Sequence, residues 1–534
     1  RNSILKGCRK LATDIGNREK AIEASIKELR SNEILLVSGK GHEETQNYGS
    51  KIINFSDKKL IKKIIQKRKF FLKKTHYKNF LLNQAFDRNE LKNINYNGVS
   101  INTKTIKKNN LFFAIYGKKN DGHKFVKEAV RKGAIKSIVS KKLKKISSNK
   151  LIKVKNTFSS LNTLAKVTRD NSSAKIIGIT GSVGKTTLKN LLSFSLKNYG
   201  KVYSSPYSYN NKFGVPLSLS NLKSNIDYGV FEIGMDKKGE IDNLSKIVKP
   251  ELAIITNISG AHFKNFNTLK DIARAKSEII SNILKGGNIV LNKDSKFFNF
   301  LSDKAKKNGI NIISFSLKKR SDIFLLNMKK VKNYFRLKIN IRNKIFFFDV
   351  KYSTDNFISN ILACISAMYI LNLDLNKMKK NFTSFTIPEG RGDIKIIKKF
   401  NKKFKFIDES YNANPLSMMS AIKNMNYYNE NKKLVFLGDM LELGKKSKKF
   451  HRELSVIINK SDIDKVFVYG KYIKETFNYL TANKKGKIFK KLNEAYSHFG
   501  KILHNNDLLM VKGSNSTGLN QFSKNIKRGQ ISAI

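Results

Sequence analysis

The chain has 534 residues, which at roughly 150 residues per domain predicts three or four domains, and its 40% of hydrophobic residues can build their cores. It contains two cysteines, which excludes a disulfide framework and a cysteine-rich zinc array. The formal net charge is +65, but lysine is spread along the whole chain and tryptophan is absent, so we attribute the charge to an AT-rich coding sequence rather than to a nucleic-acid-binding patch.

The N-terminal part, residues 1–68, is predicted to form a small α/β unit. Residues 17–29 have acidic and apolar residues at helical spacing, and the apolar run 33–38 predicts a buried strand. That strand leads into Gly-Lys-Gly-His-Glu at 39–43, where a single His and Glu are weak grounds for a metal site. Residues 62–74 are basic and poor in glycine and proline, which predicts a helical linker.

Two later stretches alternate strands with helices, as is typical of α/β folds. Between 90 and 172 we predict two strands, a turn and a helix, at 111–115, 135–139, 121–123 and 125–132. After Pro388, short apolar strands are predicted at 404–407, 433–437, 465–468 and 507–511. Helix-length segments separate these strands, so each stretch is interpreted as an α/β domain.

The region between these two stretches is predicted to be a doubly wound sheet. Its strands at 176–179, 228–233 and 252–255 each lead into polar residues, at the sheet edge where such folds bind ligands. Residues 310–352 alternate in polarity and predict antiparallel strands. The longest apolar stretch, 357–373, is interrupted by polar residues, so it predicts a buried amphipathic helix and not a membrane span.

The strongest signal for chemistry is a glycine-rich loop between a strand and a helix, Thr-Gly-Ser-Val-Gly-Lys-Thr-Thr. Successive backbone N–H groups there can bind phosphate oxygens, Lys185 can reach the β- and γ-phosphates, and the Thr186 hydroxyl can bind Mg²⁺. The match is imperfect, because Ile179 stands where the usual pattern has its first glycine. The candidate ATP-binding residues are Thr180, Gly181, Ser182, Val183, Gly184, Lys185, Thr186 and Thr187.

Two other predicted strand ends carry candidate metal ligands. Glu232 ends an apolar strand, and a carboxylate beside a phosphate loop is a natural Mg²⁺ ligand. His262 closes the segment Thr-Asn-Ile-Ser-Gly-Ala-His after the next strand, where a structural role and a ligand role have about equal weight.

In order and context these motifs resemble those of the Mur ligase superfamily. The phosphate loop, Glu232, Thr256-Asn257 with His262, and Ala-Arg-Ala-Lys ending at Lys276 carry the resemblance. Further matching segments lie at 98–102, 121–123, 210–216, 407–415, 438–444 and 512–514. The resemblance covers about 90–520 and therefore does not depend on one motif.

The resemblance implies an α/β ligase of three domains preceded by a small α/β extension. The implied boundaries are a basic linker at 69–89, an N-terminal UDP-substrate-binding domain at 90–172, a central phosphate-loop domain with a doubly wound sheet at 173–387, and a C-terminal Rossmann-like domain at 388–534. The implied reaction joins D-Ala-D-Ala to UDP-MurNAc-tripeptide through an acyl-phosphate, with ATP and Mg²⁺, in peptidoglycan precursor synthesis. We expect a monomer without nucleic-acid partners.

The resemblance also implies roles for individual residues. Lys185, Lys276 and His262 are the implied catalytic residues, and Lys276 matches a lysine that carries a carbamate in several members. Thr186 and Glu232 would bind one Mg²⁺, and His262, with Lys276 if carbamylated, would help to bind metal. The other implied ATP-binding residues are Asn356, Asn360, Arg391 and Asp408. The implied substrate-binding residues are Asn210, Asn211, Tyr411, Asn412, Asn414 and Lys512.

Three positions depart from the family pattern. Asp355 replaces a familiar His, Asn515 stands where many members have Arg, and Asn102 replaces the Asp of an N-terminal motif. These departures concern contacts to substrate and nucleotide and leave Lys185, Glu232, His262 and Lys276 in place. The sequence does not say whether the tripeptide ends in diaminopimelate or lysine.

Residues 1–68 resemble the C-terminal end of the superfamily member that adds the third amino acid, through segments 16–22 and 38–43. This stretch has no phosphate loop of its own, so we expect it to have no independent activity. The chain begins with Arg1 and shows no signal-peptide pattern. We therefore expect the native start to lie upstream and the compartment to be the reducing cytoplasm.

Two other interpretations stay open. One is a different ligase of the superfamily, such as a folate polyglutamating enzyme, against which the Tyr-Asn-Ala-Asn-Pro segment at 411–415 and the separate N-terminal domain argue. The other is a basic phosphate-loop ATPase that binds nucleic acid, which would need a basic face with interleaved aromatic residues. Lysine is diffuse here, and no such face is evident.

Overall fold

The computed structural model describes residues 13–29, 34–39, 43–47, 49, 52–71, 76–86, 94–117, 120–260, 263–379, 381–528 and 530–533. By contacts between Cα atoms the chain divides into two bodies. The first comprises 1–173 with the short segment 220–225, and the second comprises 174–219 and 226–534. The amide of Asn221 ties the short segment to the first body, because it bonds both the backbone N (2.9 Å) and the backbone O (3.0 Å) of Val99.

The first body contains two small sheets. Thr45–Asn47 and Ile52–Asn54 pair antiparallel, and a parallel sheet has the order Gly98–Ser100, Asn110–Phe113, Lys136–Val139, Leu151–Lys153. Its α-helices are Arg18–Glu28, Asp57–Phe71, His76–Phe86, Val126–Arg131 and Thr157–Asp170, with 3₁₀ turns at Gly122–Phe125 and Ser148–Lys150. The predicted strands and helix between 90 and 172 are confirmed, with ends that differ by one or two residues.

The predicted helix at 17–29 is confirmed as Arg18–Glu28, with Asn17 as its N-cap. The predicted buried strand at 33–38 is wrong over its described part, 34–38, which pairs with no described strand. Its side chains do alternate: Leu35 and Val37 pack on the small apolar core, whereas Ile34 is 94% exposed. A strand needs a neighbouring strand to bond its backbone, and alternation alone does not supply one. Residues 40–42 of the glycine-containing segment lie outside the described residues.

The predicted helical linker begins earlier than expected, at Asp57, and runs to Phe71. A second helix, His76–Phe86, occupies most of the rest of the predicted linker at 69–89. Leu81 and Leu82 of this helix are buried, so the segment packs as part of the first body instead of connecting two parts through solvent.

A nine-stranded sheet forms the first half of the second body. Its order is Lys344–Val350, Tyr334–Ile341, Ile323–Val331, Asn311–Ser316, Asn288–Asn292, Leu252–Ile255, Lys175–Thr180, Tyr228–Glu232, Val202–Ser204. Its α-helices are Lys185–Leu196, Gly214–Ser220, Glu240–Val248, Leu269–Lys276, Phe298–Lys307 and Asp355–Ile370, with 3₁₀ turns at Ser277–Asn282, Leu375–Met378 and Asn381–Ser384.

Antiparallel pairing in this sheet is confined to its last three strands in sequence, between Ile323 and Val350. The prediction of antiparallel strands over 310–352 is therefore wrong for Asn311–Ser316, which pairs parallel on both sides. The helix Phe298–Lys307 precedes that strand and provides the crossover that a parallel neighbour requires.

The helix predicted at 357–373 is Asp355–Ile370, and it lies in the apolar core beside the nine-stranded sheet. Its residues from Phe357 to Met368 are buried except Ser359, so the predicted burial is confirmed, and it extends around the helix instead of along one face. Leu188 and Leu192 of the helix that follows the glycine-rich loop belong to the same core. Among the described residues, no helix is both long enough and apolar enough to cross a membrane.

A seven-stranded sheet forms the second half of this body. Its order is Lys485–Phe489, Lys465–Tyr469, Lys433–Gly438, Leu508–Lys512, Lys402–Glu409, Asp393–Lys399, Gln530–Ala533. The strand Asp393–Lys399 pairs antiparallel with both of its neighbours. Its α-helices are Pro415–Asn424, Ser447–Asn459, Lys474–Asn478, Leu492–Ile502 and Leu519–Lys527, with 3₁₀ turns at Met425–Tyr427, Gly444–Lys446, Ala482–Lys484 and Asn515–Thr517. The four strands predicted after residue 388 are confirmed, and the α/β fold class with them.

Candidate active site

The glycine-rich loop joins Lys175–Thr180 to Lys185–Leu196 and can be built only with glycine at two positions. Gly181 has φ +146°, and a Cβ there would lie 1.9 Å from Oγ1 of Thr256. Gly184 has φ +85°, and a Cβ there would lie 2.8 Å from Oδ1 of Asn360. The backbone therefore passes so close to two polar side chains that only glycine fits at these two positions.

The end of the neighbouring strand fixes the shape of this loop. Thr256 Oγ1 donates to Val183 O (2.7 Å), and Val183 N donates to Oδ1 of Asn257 (3.0 Å). Ser182 N donates to Asn257 O (3.0 Å). Thr180 Oγ1 is buried and has no hydrogen-bond partner within the described part of the chain.

Two lysines point at one carbonyl oxygen of the loop. Lys185 Nζ and Lys276 Nζ donate to Gly181 O over 2.7 and 2.9 Å. Burial lowers the pKa of Lys185, although Glu232 opposes this effect. Burial, with the nearby charge of Lys185, holds the pKa of Lys276 well below its ordinary value. Lys276 is 1% exposed, so its amine is shielded from bulk water.

A threonine and a carboxylate lie together at the start of the helix. Thr186 Oγ1 donates to Oε2 of Glu232 (2.6 Å), and Asn210 Nδ2 donates to Oε1 of the same carboxylate (2.6 Å). Glu232 is 1% exposed. A hydroxyl and a carboxylate beside a phosphate-binding loop are the oxygen donors that Mg²⁺ prefers, with phosphate oxygens as further ligands. Among the described residues there is no group of three His, Cys, Asp or Glu that could bind a metal by itself.

These residues line a cavity of about 910 Å³ between the two sheets of the second body. The candidate residues on its wall are Ser182, Val183, Gly184, Lys185, Thr186, Thr187, Asn210, Glu232, Asn356, Asn360, Arg391, Tyr411, Asn412, Asn414 and Lys512. Thr180, Gly181 and Lys276 lie behind the loop and not on the wall. His262 lies outside the described residues.

The side chains of two predicted site residues, Asn211 and Asp408, do not face the cavity. Oδ1 of Asn211 accepts from the backbone N of Phe213 (3.1 Å) and of Gly214 (2.9 Å), so Asn211 caps a helix and is not on the cavity wall. Asp408 accepts from Lys527 Nζ (2.6 Å) and is buried away from the wall.

The predicted site residues of the second sheet lie in one loop and at two strand ends. Arg391 Nη2 donates to Ser208 Oγ (2.9 Å), and its guanidinium lies 4.1 Å from the ring centre of Tyr411. Lys512 Nζ donates to Oε2 of Glu409 (2.6 Å) and to Asn412 O (3.3 Å). These contacts place a guanidinium and an ammonium group on the same cavity wall.

Two other side chains connect the halves of the cavity or start a helix on its wall. Asn356 Nδ2, in the helix Asp355–Ile370, donates to Ser420 Oγ, in the helix Pro415–Asn424 (2.9 Å). Oδ1 of Asn414 accepts from Ser417 N (3.0 Å) and caps the helix Pro415–Asn424. Asn414 therefore has a structural function in addition to its place on the wall.

Sequence reasoning missed Ser208, which touches both Thr186 and Arg391, and the buried Lys189 behind it. Lys189 could have been noticed, because it lies four residues after Lys185 and hence on the same helix face. No local signal distinguishes Ser208, since its partners are 22 and 183 residues away.

A phosphate loop at the end of a parallel strand, with a carboxylate at the end of the adjacent strand, defines the central sheet as a nucleotide-binding domain of the phosphate-loop class.

Three family models match the chain: "Mur ligase family, catalytic domain" at 95–169, "Mur ligase middle domain" at 179–368, and "Mur ligase, glutamate ligase domain" at 394–515. The UDP-N-acetylmuramoyl-tripeptide–D-alanyl-D-alanine ligase of Rickettsia prowazekii is 34% identical over 80% of this chain and 94% of its own length.

Solved structures agree with these matches. MurF from Acinetobacter baumannii is similar with a TM-score of 0.74 and 26% identity, over 84% of this chain and 98% of its own. MurF from Thermotoga maritima in complex with ADP is similar with a TM-score of 0.69 and 26% identity, over 81% and 98%. The chain belongs to the Mur ligase family, which confirms the resemblance found in the motifs.

Proposed function

We propose that this chain joins D-Ala-D-Ala to UDP-MurNAc-tripeptide at the expense of ATP, which yields UDP-MurNAc-pentapeptide for peptidoglycan. It is an ATP-dependent amide ligase of peptidoglycan precursor synthesis. The observation that carries the proposal is that three features line one cavity: the phosphate loop, the Thr186–Glu232 pair, and the cationic side chains Arg391 and Lys512 from the second sheet.

The reaction proceeds in two substitutions. The C-terminal carboxylate of the tripeptide attacks the γ-phosphorus of ATP, a P–O bond forms, and ADP leaves. The amine of D-Ala-D-Ala then attacks the acyl-phosphate carbon, loses a proton, and inorganic phosphate leaves from the tetrahedral intermediate. Lys185 and the loop N–H groups orient the phosphates, and Arg391 offers positive charge from the opposite wall. The acyl-phosphate must be shielded from water, and we expect closure of the C-terminal domain over the central one to do this.

We assign Thr186 and Glu232 as the residues that would hold Mg²⁺, because their oxygens converge beside the phosphate loop. When bound, the ion would neutralise phosphate charge. Lys276, with its lowered pKa, is assigned as the carbamylated lysine, and His262 as a residue that helps with a second ion. Asn356, Asn360 and Arg391 are assigned to ATP, and Asn210, Tyr411, Asn412, Asn414 and Lys512 to the substrates.

Asn211 and Asp408 are assigned supporting functions, because their side chains cap a helix and join a buried ion pair. We keep the domain boundaries proposed from the sequence, at 90–172, 173–387 and 388–534, and attribute no activity to 1–68. The expected active species is a monomer. The need for ATP supports the cytoplasm as its compartment.

The test measures phosphate release by the full chain with ATP and Mg²⁺, and compares both substrates with the omission of each. Release should require UDP-MurNAc-tripeptide and D-Ala-D-Ala together and should yield pentapeptide by mass. Lys185→Ala should abolish it, whereas Lys197→Ala, at an exposed site just after the same helix, should not. Release that depends on neither substrate, in folded protein, would contradict the proposal. A release that depends on added DNA would favour the nucleic-acid-binding ATPase.

A further inference from the structure

Four side chains form a continuous line of hydrogen bonds across the cavity. Arg391 Nη2 lies 2.9 Å from Ser208 Oγ, Ser208 Oγ lies 3.3 Å from Thr186 Oγ1, and Thr186 Oγ1 lies 2.6 Å from Oε2 of Glu232. The line starts on the loop before Asp393–Lys399 in one sheet and ends on Tyr228–Glu232 in the other. It therefore connects Arg391, from the second sheet, with Thr186 and Glu232 beside the phosphate loop.

The chemistry of the two end groups fixes the direction of donation along this line. A guanidinium can only donate, and an ionised carboxylate can only accept. The single proton of Thr186 is used on Glu232, so the bond between the two hydroxyls requires Ser208 to donate its own proton to Thr186. Ser208 then has its lone pairs available for Arg391. Hydrogen bonds that follow one another in the same sense polarise and strengthen each other.

The backbone that carries Ser208 is held in an unfavourable conformation. Tyr207, the preceding residue, has φ +46°, a left-handed value that is unfavourable for a residue other than glycine. Its side chain is 77% exposed, so burial of the ring does not offset that cost. Something else must keep this turn in place.

The ammonium group of Lys189 does so from below. Its Nζ donates to Ser205 O (2.6 Å) and to Tyr207 O, the two carbonyls on either side of Pro206. Lys189 is 1% exposed, and burial lowers its pKa to about 8. Ser205 in turn accepts from the backbone N of Glu232 through Oγ (3.1 Å). One buried lysine thus joins the helix of the phosphate loop to the turn before Ser208.

We infer that Ser208 is a positioning residue for Arg391 and that Lys189 holds Ser208 in the place where it bridges Arg391 and Thr186. The other N–H groups of the Arg391 guanidinium make no hydrogen bond to the described protein, so they are available to an anion in the cavity. Ser208 fixes the orientation in which the guanidinium presents them. This inference rests on the proposed function, since it takes that anion to be the phosphate chain of ATP.

Ser208→Ala, Ser208→Thr, Lys189→Met and Arg391→Met test the inference in the full chain. Two readouts are used: kcat/KM for ATP in pentapeptide formation, and Kd for a non-hydrolysable ATP analogue with Mg²⁺ by calorimetry. Ser208→Ala and Lys189→Met should each lower kcat/KM about 10- to 100-fold, because small misplacements of catalytic groups have effects of that size. They should raise Kd at least about 3-fold, and Ser208→Thr should recover most of both losses.

Double variants separate positioning from a general structural effect. Ser208→Ala should add nothing to Arg391→Met, and Lys189→Met should add nothing to Ser208→Ala, because each acts through the next residue in the line. Additive losses would overturn the inference, as would a Ser208→Ala variant with wild-type kcat/KM and Kd. Tyr207→Gly is the matched control: glycine adopts the same φ, so both readouts should stay within about 3-fold of wild type. A large loss in this control would assign the effect to the tyrosine ring and contradict the function given to Lys189.

The two readouts distinguish this inference from the proposed function. If the wild-type chain binds the ATP analogue but forms no pentapeptide, the proposed function fails. The calorimetric cycle then still decides between additive and non-additive effects of Ser208 and Arg391. If a Lys189→Met variant does not fold, as judged by thermal unfolding, Ser208→Ala with Arg391→Met provides the same test on its own.

Discussion

Lys185 and Lys276 donate to the same carbonyl oxygen, that of Gly181, over 2.7 and 2.9 Å. Two ammonium groups so close together in a buried site repel each other, and burial penalises the charged form of both. The pKa of Lys276 is held well below its ordinary value by this burial and by the charge of Lys185. The loop thus keeps one lysine ready to lose its proton.

A neutral Lys276 amine can add CO₂. Its lone pair forms the N–C bond and one proton leaves, which gives a carbamate anion in place of a cation. We expect a peptide that contains Lys276 to gain the mass of one CO₂ when bicarbonate is present, measured after chemical trapping. Lys270, exposed on the same helix, should stay unmodified and serves as internal control. Full ligase activity without CO₂, with Lys276 unmodified, would refute this assignment.

Glu232→Gln should raise the Mg²⁺ concentration needed for half-maximal activity by at least about 10-fold, because it replaces a charged oxygen ligand by a neutral one. The glutamine retains one oxygen for Asn210 and turns its NH2 group towards Thr186, whose hydroxyl can accept from it instead of donating. Thr186→Ser keeps the hydroxyl and should shift the Mg²⁺ titration little. An unchanged titration in Glu232→Gln would place the ion elsewhere.

Gly181→Ala should cost more stability than Gly239→Ala, although both glycines have positive φ. Nothing lies within 4 Å of a Cβ at Gly239, whereas a Cβ at Gly181 would lie 1.9 Å from Thr256 Oγ1. Gly239→Ala should therefore cost about 1–2 kcal/mol from its backbone conformation alone. Denaturant unfolding measures both costs, and equal values would show that the loop can move away from Thr256.

The stability of the second sheet should depend on pH through Asp393. Burial and the neighbouring Asp408 raise the pKa of Asp393 to about 6, against the attraction of Lys527 and Lys395. The folded state therefore binds more protons than the unfolded state between pH ~4 and ~6. The contribution of Asp393 to the free energy of unfolding is therefore fully present below pH ~4, and it is lost as the pH rises through about 6.

Asp393→Asn should remove that part of the pH dependence, which is on the order of 2–3 kcal/mol. Denaturant unfolding at a series of pH values measures it, with Asp303→Asn as an exposed control that should leave the profile unchanged. Parallel profiles for wild type and Asp393→Asn would show that Asp393 titrates normally.

The phosphate loop could be predicted from sequence because its structure is encoded locally, by a strand, two glycines and the start of a helix. The hydrogen-bond partners of Asn211 and Asp408 could not be predicted in this way. Asn211 matches a family segment, but its side chain caps the helix that begins three residues later, and Asp408 pairs with Lys527, 119 residues away. The run at 34–38 has the alternation of a strand and lacks the neighbour that would make it one.

The helix Asp355–Ile370 extends from the apolar core to the cavity, where Asn356 bonds Ser420 of the helix Pro415–Asn424, which packs on the second sheet (2.9 Å). A helix of this length is a stiff rod of about 24 Å. Strain applied at its exposed end cannot be absorbed by bending, because well-packed core side chains surround the rest. If the two sheets separate to release product, the Asn356–Ser420 bond must therefore break early, and the core should stay intact while it does.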